Sequence, residues 1–280
     1  MPVDPYQYVE VKLPGCDENI KVREVEDAPT GCMVWPAARV LLHWLSAGPG
    51  CAGGPEEAAK AGATLLELGA GTGYLALGLA ATGCAAKVYA ADGDSQTLDN
   101  MHLNLKTSAG GEQVQPVYWD WVTNPQVPED IAVDKLDLII GSDIVFGRYY
   151  DEKALAAALR TLLSDSRARA GLEAILILAD RWKGPEDPNP EVSDVDLFLM
   201  ECRGRKLLVR ELTLSAEVLE DALGPVPEGC AAHEDPGGAT GTTTTLRLFK
   251  LAAPCEASAA EASDAATAEA PADAAPVTTD

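Results

Sequence analysis

The chain has 280 residues and a mass of 29.3 kDa, enough to bury a full core in one large domain or two small ones. Its 47% hydrophobic and 23% charged residues make a globular composition, which excludes disorder of the whole chain. Lys+Arg 21 against Asp+Glu 44 gives a formal charge of −23, which argues against grip on a phosphate backbone or a polybasic membrane surface and suits basic partners such as Lys-bearing protein segments.

Read from the N-terminus, Met1 to Tyr6 has neither a basic region nor an apolar one, so no secretory leader is expected. Residues 6–12 and 19–25 alternate as the strands of a hairpin turning at Pro14-Gly15. After a break at Thr30-Gly31, residues 34–45 carry apolar side chains at helical spacing. Residues 48–62, with Gly-Pro-Gly and Gly-Gly-Pro, read as a loop. An apolar run at 64–68, a helix at 74–81 and a strand at 87–91 follow, and Ser95 is the candidate cap of a helix running to Leu105. Strands at 114–119 and 136–140 precede an amphipathic helix at 151–163. Residues 174–179 read as a buried strand, 194–202 as a helix, and 206–212 and 243–251 as the last strands. Residues 224–241 read as a loop. With no helical pattern seen between them, the last two strands are expected to pair antiparallel at one edge.

Strands alternating with helices imply βαβ units and a parallel sheet covered on both faces, so the expected fold is α/β, doubly wound and mostly parallel. From Ala252 the chain is Ala, Pro, Ser and Thr with six acids and no base, too poor in large apolar groups to offset ordering entropy. The expected organisation is one domain over 1–251, with the hairpin and first helix in about 1–47, and a disordered acidic tail over 252–280. The seven cysteines include no Cys-x-x-Cys pair, and the three histidines stand apart from them, so neither a disulfide framework nor a metal site is expected. No apolar run approaches eighteen residues, and the expectation is a soluble, intracellular protein.

The strongest local signal is Glu67-Leu68-Gly69-Ala70-Gly71-Thr72-Gly73-Tyr74, a glycine-rich turn between a strand and a helix. It is not the dinucleotide fingerprint: Tyr74 stands where the third glycine is wanted, and the phosphate-cradling Lys is missing. Instead there are two acids. Glu67 ends its strand, and Asp92 ends the next, about twenty residues beyond the turn, where an acid takes ribose hydroxyls. Two acids without a phosphate cradle suit a ligand with ribose and positive charge, and S-adenosylmethionine has both.

The Glu-x-Gly-x-Gly-x-Gly turn followed by Asp92 resembles the Class I, seven-strand methyltransferases. Three further stretches make the chain similar to the family 16 protein-lysine methyltransferases, which act on non-histone proteins: Gly31-Cys32-Met33-Val34-Trp35-Pro36-Ala37-Ala38, Trp119-Asp120-Trp121, and Gly141-Ser142-Asp143-Ile144-Val145-Phe146. The resemblance spans about residues 6–251. It implies a Rossmann-like seven-strand sheet with an antiparallel C-terminal edge, and S-adenosylmethionine as cofactor. It places Trp35 against that cofactor, Gly69, Ala70 and Gly71 at its methionine part, Asp92 at the ribose, Trp121 beside the adenine, and Ser142 ahead of the motif acid. Glu67 is a further cofactor-binding candidate. Asp143 and Phe146 match the Asp-x-x-Tyr/Phe motif near the target side chain, with Phe146 where Tyr is more usual. Trp119 is expected in the core.

The implied activity is methyl transfer to a lysine of a non-histone protein by a cytoplasmic or nuclear monomer, with no nucleic acid or membrane partner. Methylation of a small molecule or of another side chain such as His, and a non-catalytic cofactor-fold binding module, are the alternatives. Asp143 could instead cap a helix starting near Tyr149-Tyr150. Asn100 and Asn104 read as solvated or packing residues.

Overall fold

A computed structural model describes residues 6–13, 19–25, 28–46, 61–146, 151–181, 192–224 and 244–254. The expected hairpin turn at Pro14-Gly15, Tyr149 and Tyr150, nearly all of the two expected loops, and the tail from residue 255 lie outside the described residues.

Strands β1 (Tyr6–Lys12) and β2 (Asn19–Val25) form an antiparallel pair with Tyr6 opposite Val25 and Lys12 opposite Asn19. Helix α1 (Pro36–Ser46) follows, starting at a proline whose missing N–H is no loss at that position. The remaining strands are β3 (Ala63–Leu68), β4 (Ala85–Asp92), β5 (Val114–Tyr118), β6 (Leu138–Ser142), β7 (Glu173–Arg181), β8 (Leu208–Leu212) and β9 (Thr244–Ala252). They form one seven-stranded sheet in the order β5-β4-β3-β6-β7-β9-β8. The first five are parallel neighbours, and β9 runs antiparallel to both β7 and β8. The chain therefore winds outward from β3 to β5, returns to β6 beside β3, and winds the other way. The β3/β6 boundary is the topological switch point, where open α/β sheets bind ligands outside the carboxyl ends of their strands.

Helices α2 (Tyr74–Ala81), α3 (Ser95–Thr107), α4 (Glu152–Leu163), α5 (Asp194–Gly204) and α6 (Ala216–Leu223) cover the sheet. Alternation along each strand splits the core into two layers. Leu65, Val88, Ile140, Ile175 and Leu248 point to the layer holding α1, α2 and Val218 of α6. Leu66, Tyr89, Ile139, Leu176 and Phe249 point to the layer holding α4 and α5. Helix α2 is apolar all round because it is buried on every side. At Gly78 a Cβ would stand 2.5 Å from Leu42 Cδ2, so this glycine permits α1 and α2 to pack closely.

Two expectations need correction. The last strands are not joined without a helix: α6 lies between β8 and β9, capped by Ser215 Oγ, which accepts from the Val218 N–H, and stopped by Gly224 at φ 83°. Its eight residues bury only Val218 fully, so its apolar period is too short to stand out in the sequence. Ser95 is the first residue of α3 and not its cap; Asp94 caps it, accepting from the Thr97 N–H at 2.7 Å. Asn100 and Asn104 are buried and tie the hairpin to the body. Asn104 Oδ1 accepts from the Arg23 backbone N–H at 2.8 Å, and its Nδ2 donates to the Thr72 carbonyl at 3.0 Å, next to the glycine turn.

Among the described residues, no helix is long and apolar enough to cross a membrane, and no group of three or more His, Cys, Asp or Glu could hold a metal ion.

Candidate active site

A cavity of about 490 Å³ opens at the carboxyl ends of β3, β4 and β6, beneath the segment that leads into α1. Pockets for drug-sized ligands fall in this range. All ten residues singled out from the sequence line it: Trp35, Glu67, Gly69, Ala70, Gly71, Asp92, Trp121, Ser142, Asp143 and Phe146. They come from five separate stretches of chain, and the switch point is what brings them together.

The turn after β3 is built for close approach. Gly69, Gly71 and Gly73 have φ of 63°, 56° and 78°, a region costly for residues with a Cβ. A Cβ on Gly69 would meet Ile144 Cγ2 at 2.4 Å, and one on Gly71 would stand 3.0 Å from the Gly31 carbonyl oxygen. Gly69→Ala is therefore expected to lose about 1–3 kcal/mol of stability through strain and overpacking. Urea unfolding monitored by circular dichroism checks this, and an unshifted midpoint would contradict it.

Asp92 closes the turn. Its Oδ2 accepts from the Gly71 N–H at 2.9 Å and its Oδ1 from the Asp94 N–H at 3.0 Å. A carboxylate oxygen has two acceptor sites, so each retains capacity for a hydroxyl from the cavity. Burial pushes the Asp92 carboxyl above its usual range, and the two backbone donors work against that. Glu67 is 1% exposed, and burial holds its carboxyl well above the usual range, with the Asp92 charge adding to it. Its Oε2 has no hydrogen-bond partner among the described residues. A buried acceptor in that state is costly unless a ligand supplies the donor.

The pH dependence follows from Glu67. A folded-state value above the unfolded one means its stability contribution is full below about pH 4.3 and is lost as pH rises through the raised value. Glu67→Gln is expected to lose less of its melting temperature than the parent as pH rises above about 4.3, in ligand-free protein. Parallel melting curves for the two at every pH would contradict the assignment.

The aromatic wall is Trp35, Trp119, Trp121 and Phe146. Trp119 is 1% exposed and anchors the wall by donating its Nε1–H to the Asn124 carbonyl at 3.0 Å, and its ring meets Trp121 edge-on at 6.0 Å. It is thus core and cavity wall together. The expected strand runs to residue 119, but β5 ends at Tyr118, and Trp121 lies in a turn, where Asp120 Oδ1 accepts from the Val122 N–H at 3.0 Å. Trp35 donates its Nε1–H to the Thr30 carbonyl at 3.1 Å.

Asp143 sits just past β6 with φ 52°, a strained conformation for a residue with a side chain, costing on the order of 1–2 kcal/mol. Its carboxylate is nearly buried and forked by Arg181: Nη1 donates to Oδ1 at 2.9 Å and Nη2 to Oδ2 at 2.5 Å. The expected helix start near Tyr149-Tyr150 lies outside the described residues; α4 begins at Glu152, and Asp151 Oδ1 caps it, accepting from the Lys153 and Ala154 N–H groups at 2.9 Å each. Sequence reasoning missed Arg181, because nothing in its spacing shows that the ends of β6 and β7 lie side by side. It also missed Tyr74, a cavity-lining residue whose hydroxyl is buried without a partner among the described residues.

The described cavity wall carries six acids, Glu67, Asp92, Asp94, Asp120, Asp143 and Asp151, and no Lys, Arg or His. The turn, the unsatisfied Glu67 oxygen and this sign of charge fit a cationic nucleoside ligand.

A profile of the lysine methyltransferase family matches residues 16–180, more than half of the chain, and the chain belongs to that family. Among its relatives is a calmodulin-lysine N-methyltransferase of Arabidopsis thaliana, 28% identical over 58% of this chain and 50% of that protein. Another is protein-lysine N-methyltransferase EFM3 of Chaetomium thermophilum, 27% identical over 54% of this chain and 43% of that protein. The matched regions thus span about half the length of these curated relatives. The fold is similar to that of Pyrococcus horikoshii TYW2, solved in complex with MeSAdo, with a TM-score of 0.52 at 17% identity over 90% of this chain and 73% of that one.

Proposed function

We propose that the chain is an S-adenosylmethionine-dependent N-methyltransferase acting on a lysine side chain of a non-histone protein. The observation that carries the reading is the cavity itself: a glycine turn, an acid at each of two strand ends, and an uncompensated buried carboxylate oxygen, in a described wall without bases. The family and the named activities of the two relatives support lysine as the acceptor. The charge of −23 supports a basic protein partner over a nucleic acid or a membrane surface. The reading includes a monomer working in the cytoplasm or nucleus.

In this reading Asp92 holds the ribose hydroxyls, Trp121 lies beside the adenine, Trp35 covers the ligand, and Glu67 faces its positive amino acid end. S-adenosylmethionine, when bound, supplies the methyl carbon, whose bond to sulfur breaks as the lysine nitrogen bonds to it, leaving the electron pair on sulfur. A lysine amine titrates near 10.4, so it arrives as ammonium and must first lose a proton to water. A cation already in the cavity favours that loss, so no strong base is needed. Asp143 accepts a hydrogen bond from the lysine nitrogen and aligns it. Phe146 forms an apolar wall that keeps the site dry.

Calorimetric titration with S-adenosylmethionine, followed by turnover on lysate proteins against small amines, tests the reading. Binding with methyl transfer to protein supports it. Absence of binding contradicts it, and binding with transfer only to small amines would assign a small-molecule enzyme.

A further inference from the structure

Arg181 faces Asp143 from the end of β7 with both guanidinium edges, and its Cζ stands 5.6 Å from the centre of the Trp35 ring. A planar fork matched to a carboxylate is the strongest ordinary geometry for such a pair, and the ring face adds a second attraction for the same cation. Asp143 lines the cavity and Arg181 is not among the lining residues, so the acidic half of the pair faces the cavity. The Asp143 side chain is 4% exposed and the Arg181 side chain 26%.

Resting on the lysine-methylating reading, we propose that Arg181 is a positioning residue that makes the lysine site accept an uncharged amine: it holds Asp143 as an oriented acceptor while cancelling its charge. The two roles of Asp143 otherwise conflict. A lone carboxylate beside a lysine nitrogen would orient it but would also stabilise the ammonium, which has no lone pair to give. Paired with Arg181, the carboxylate keeps acceptor sites on both oxygens, and the pair carries no net charge. Among the described residues, the other charged groups lining the cavity are Asp151 at the start of α4, Glu67 and Asp92 at the ends of β3 and β4, Asp94 at the start of α3, and Asp120 after β5. All are acids, and each favours the ammonium. Tyr74 of α2 also titrates, but burial pushes it up to about 12. Arg181 is therefore the described cation set directly against the acceptor.

The proposal makes kcat and KM fall together, whereas a merely structural role lowers kcat and leaves KM unchanged or raises it. With Arg181→Gln, the site gains a net negative charge and should bind ammonium more tightly while reacting more slowly. n-Butylammonium, titrated near pH 7 into the full chain saturated with S-adenosylhomocysteine, is expected to bind Arg181→Gln about tenfold more tightly than the parent. In labelled methyl transfer to lysate protein, the rising limb of the rate against pH is expected to move up by about one unit in the same variant. Arg181→Lys keeps the charge but loses the fork, so its limb should stay with the parent's even though its rate falls. Arg181→Met keeps an unbranched apolar stem, loses the charge, and serves as a second neutral variant.

Weaker butylammonium binding in both neutral variants, an unmoved pH limb, or loss of the fold in both would overturn the proposal and leave Arg181 a structural residue. Failure of the parent to bind S-adenosylmethionine would instead overturn the reading on which it rests.

Discussion

Asp143→Asn is expected to leave S-adenosylmethionine affinity within about threefold and to lower the methylation rate by roughly tenfold to a thousandfold. The first half follows from where Asp143 stands: beyond β6, on the same cavity as Gly69, Gly71 and Asp92 but on a different strand end from them. The second half follows from what the substitution removes. An amide presents an N–H to one arm of the Arg181 fork, so the bidentate pair breaks and the acceptor turns. A nucleophile misplaced by a fraction of an ångström loses much of the advantage of being held. The broken pair also leaves the Arg181 guanidinium poorly matched, and a loss of about 1–3 kcal/mol in stability should accompany the kinetic effect. Urea unfolding and steady-state kinetics on one preparation separate the two. Full activity, or a large loss of cofactor affinity, would remove Asp143 from the substrate side of the site.

The second large effect is expected at Asp92. Its carboxylate already accepts from the Gly71 and Asp94 N–H groups, so it has two tasks: shaping the turn and offering its remaining acceptor sites to the ribose. Charge-assisted bonds of this kind contribute on the order of 1.5–3 kcal/mol. Asp92→Ala should weaken S-adenosylmethionine binding by roughly tenfold to over a hundredfold in calorimetry. Asp92→Asn retains an acceptor and should fall between the two. Parent-like affinity in Asp92→Ala would show that the ribose is held elsewhere.

The parts of this molecule legible in its sequence are those encoded by contiguous residues. Alternation at β1 and β2, the apolar run of β3 and the turn Gly69–Gly73 each state their own structure, because pleat and positive φ select residue types locally. The acids Glu67 and Asp92 were legible as candidates through their register at two strand ends, which parallel pairing then places in adjacent strands. Helix α6 was missed because its stability comes from packing on α1 and not from a long apolar period of its own. Asp94 displaced Ser95 as the cap of α3 by one residue, a shift that side-chain preferences alone do not resolve, since both residues cap well. The Asp143–Arg181 fork joins residues 38 apart in sequence. Nothing in the segment of Arg181 marks it as a site residue; only the parallel pairing of β6 with β7 brings it against Asp143.

On the proposed reading, this cavity moves a methyl group to a protein lysine. The most direct measurement is transfer of radiolabelled methyl from S-adenosylmethionine into lysate of a strain lacking this protein, followed by mass spectrometry of the labelled band. Label is expected on a protein, as methyl on a lysine Nε, incorporated at least about tenfold more slowly by Asp143→Asn and reduced in Asp92→Ala at limiting cofactor. Label on histidine, label confined to small molecules, or no transfer by a chain that binds the cofactor would contradict it.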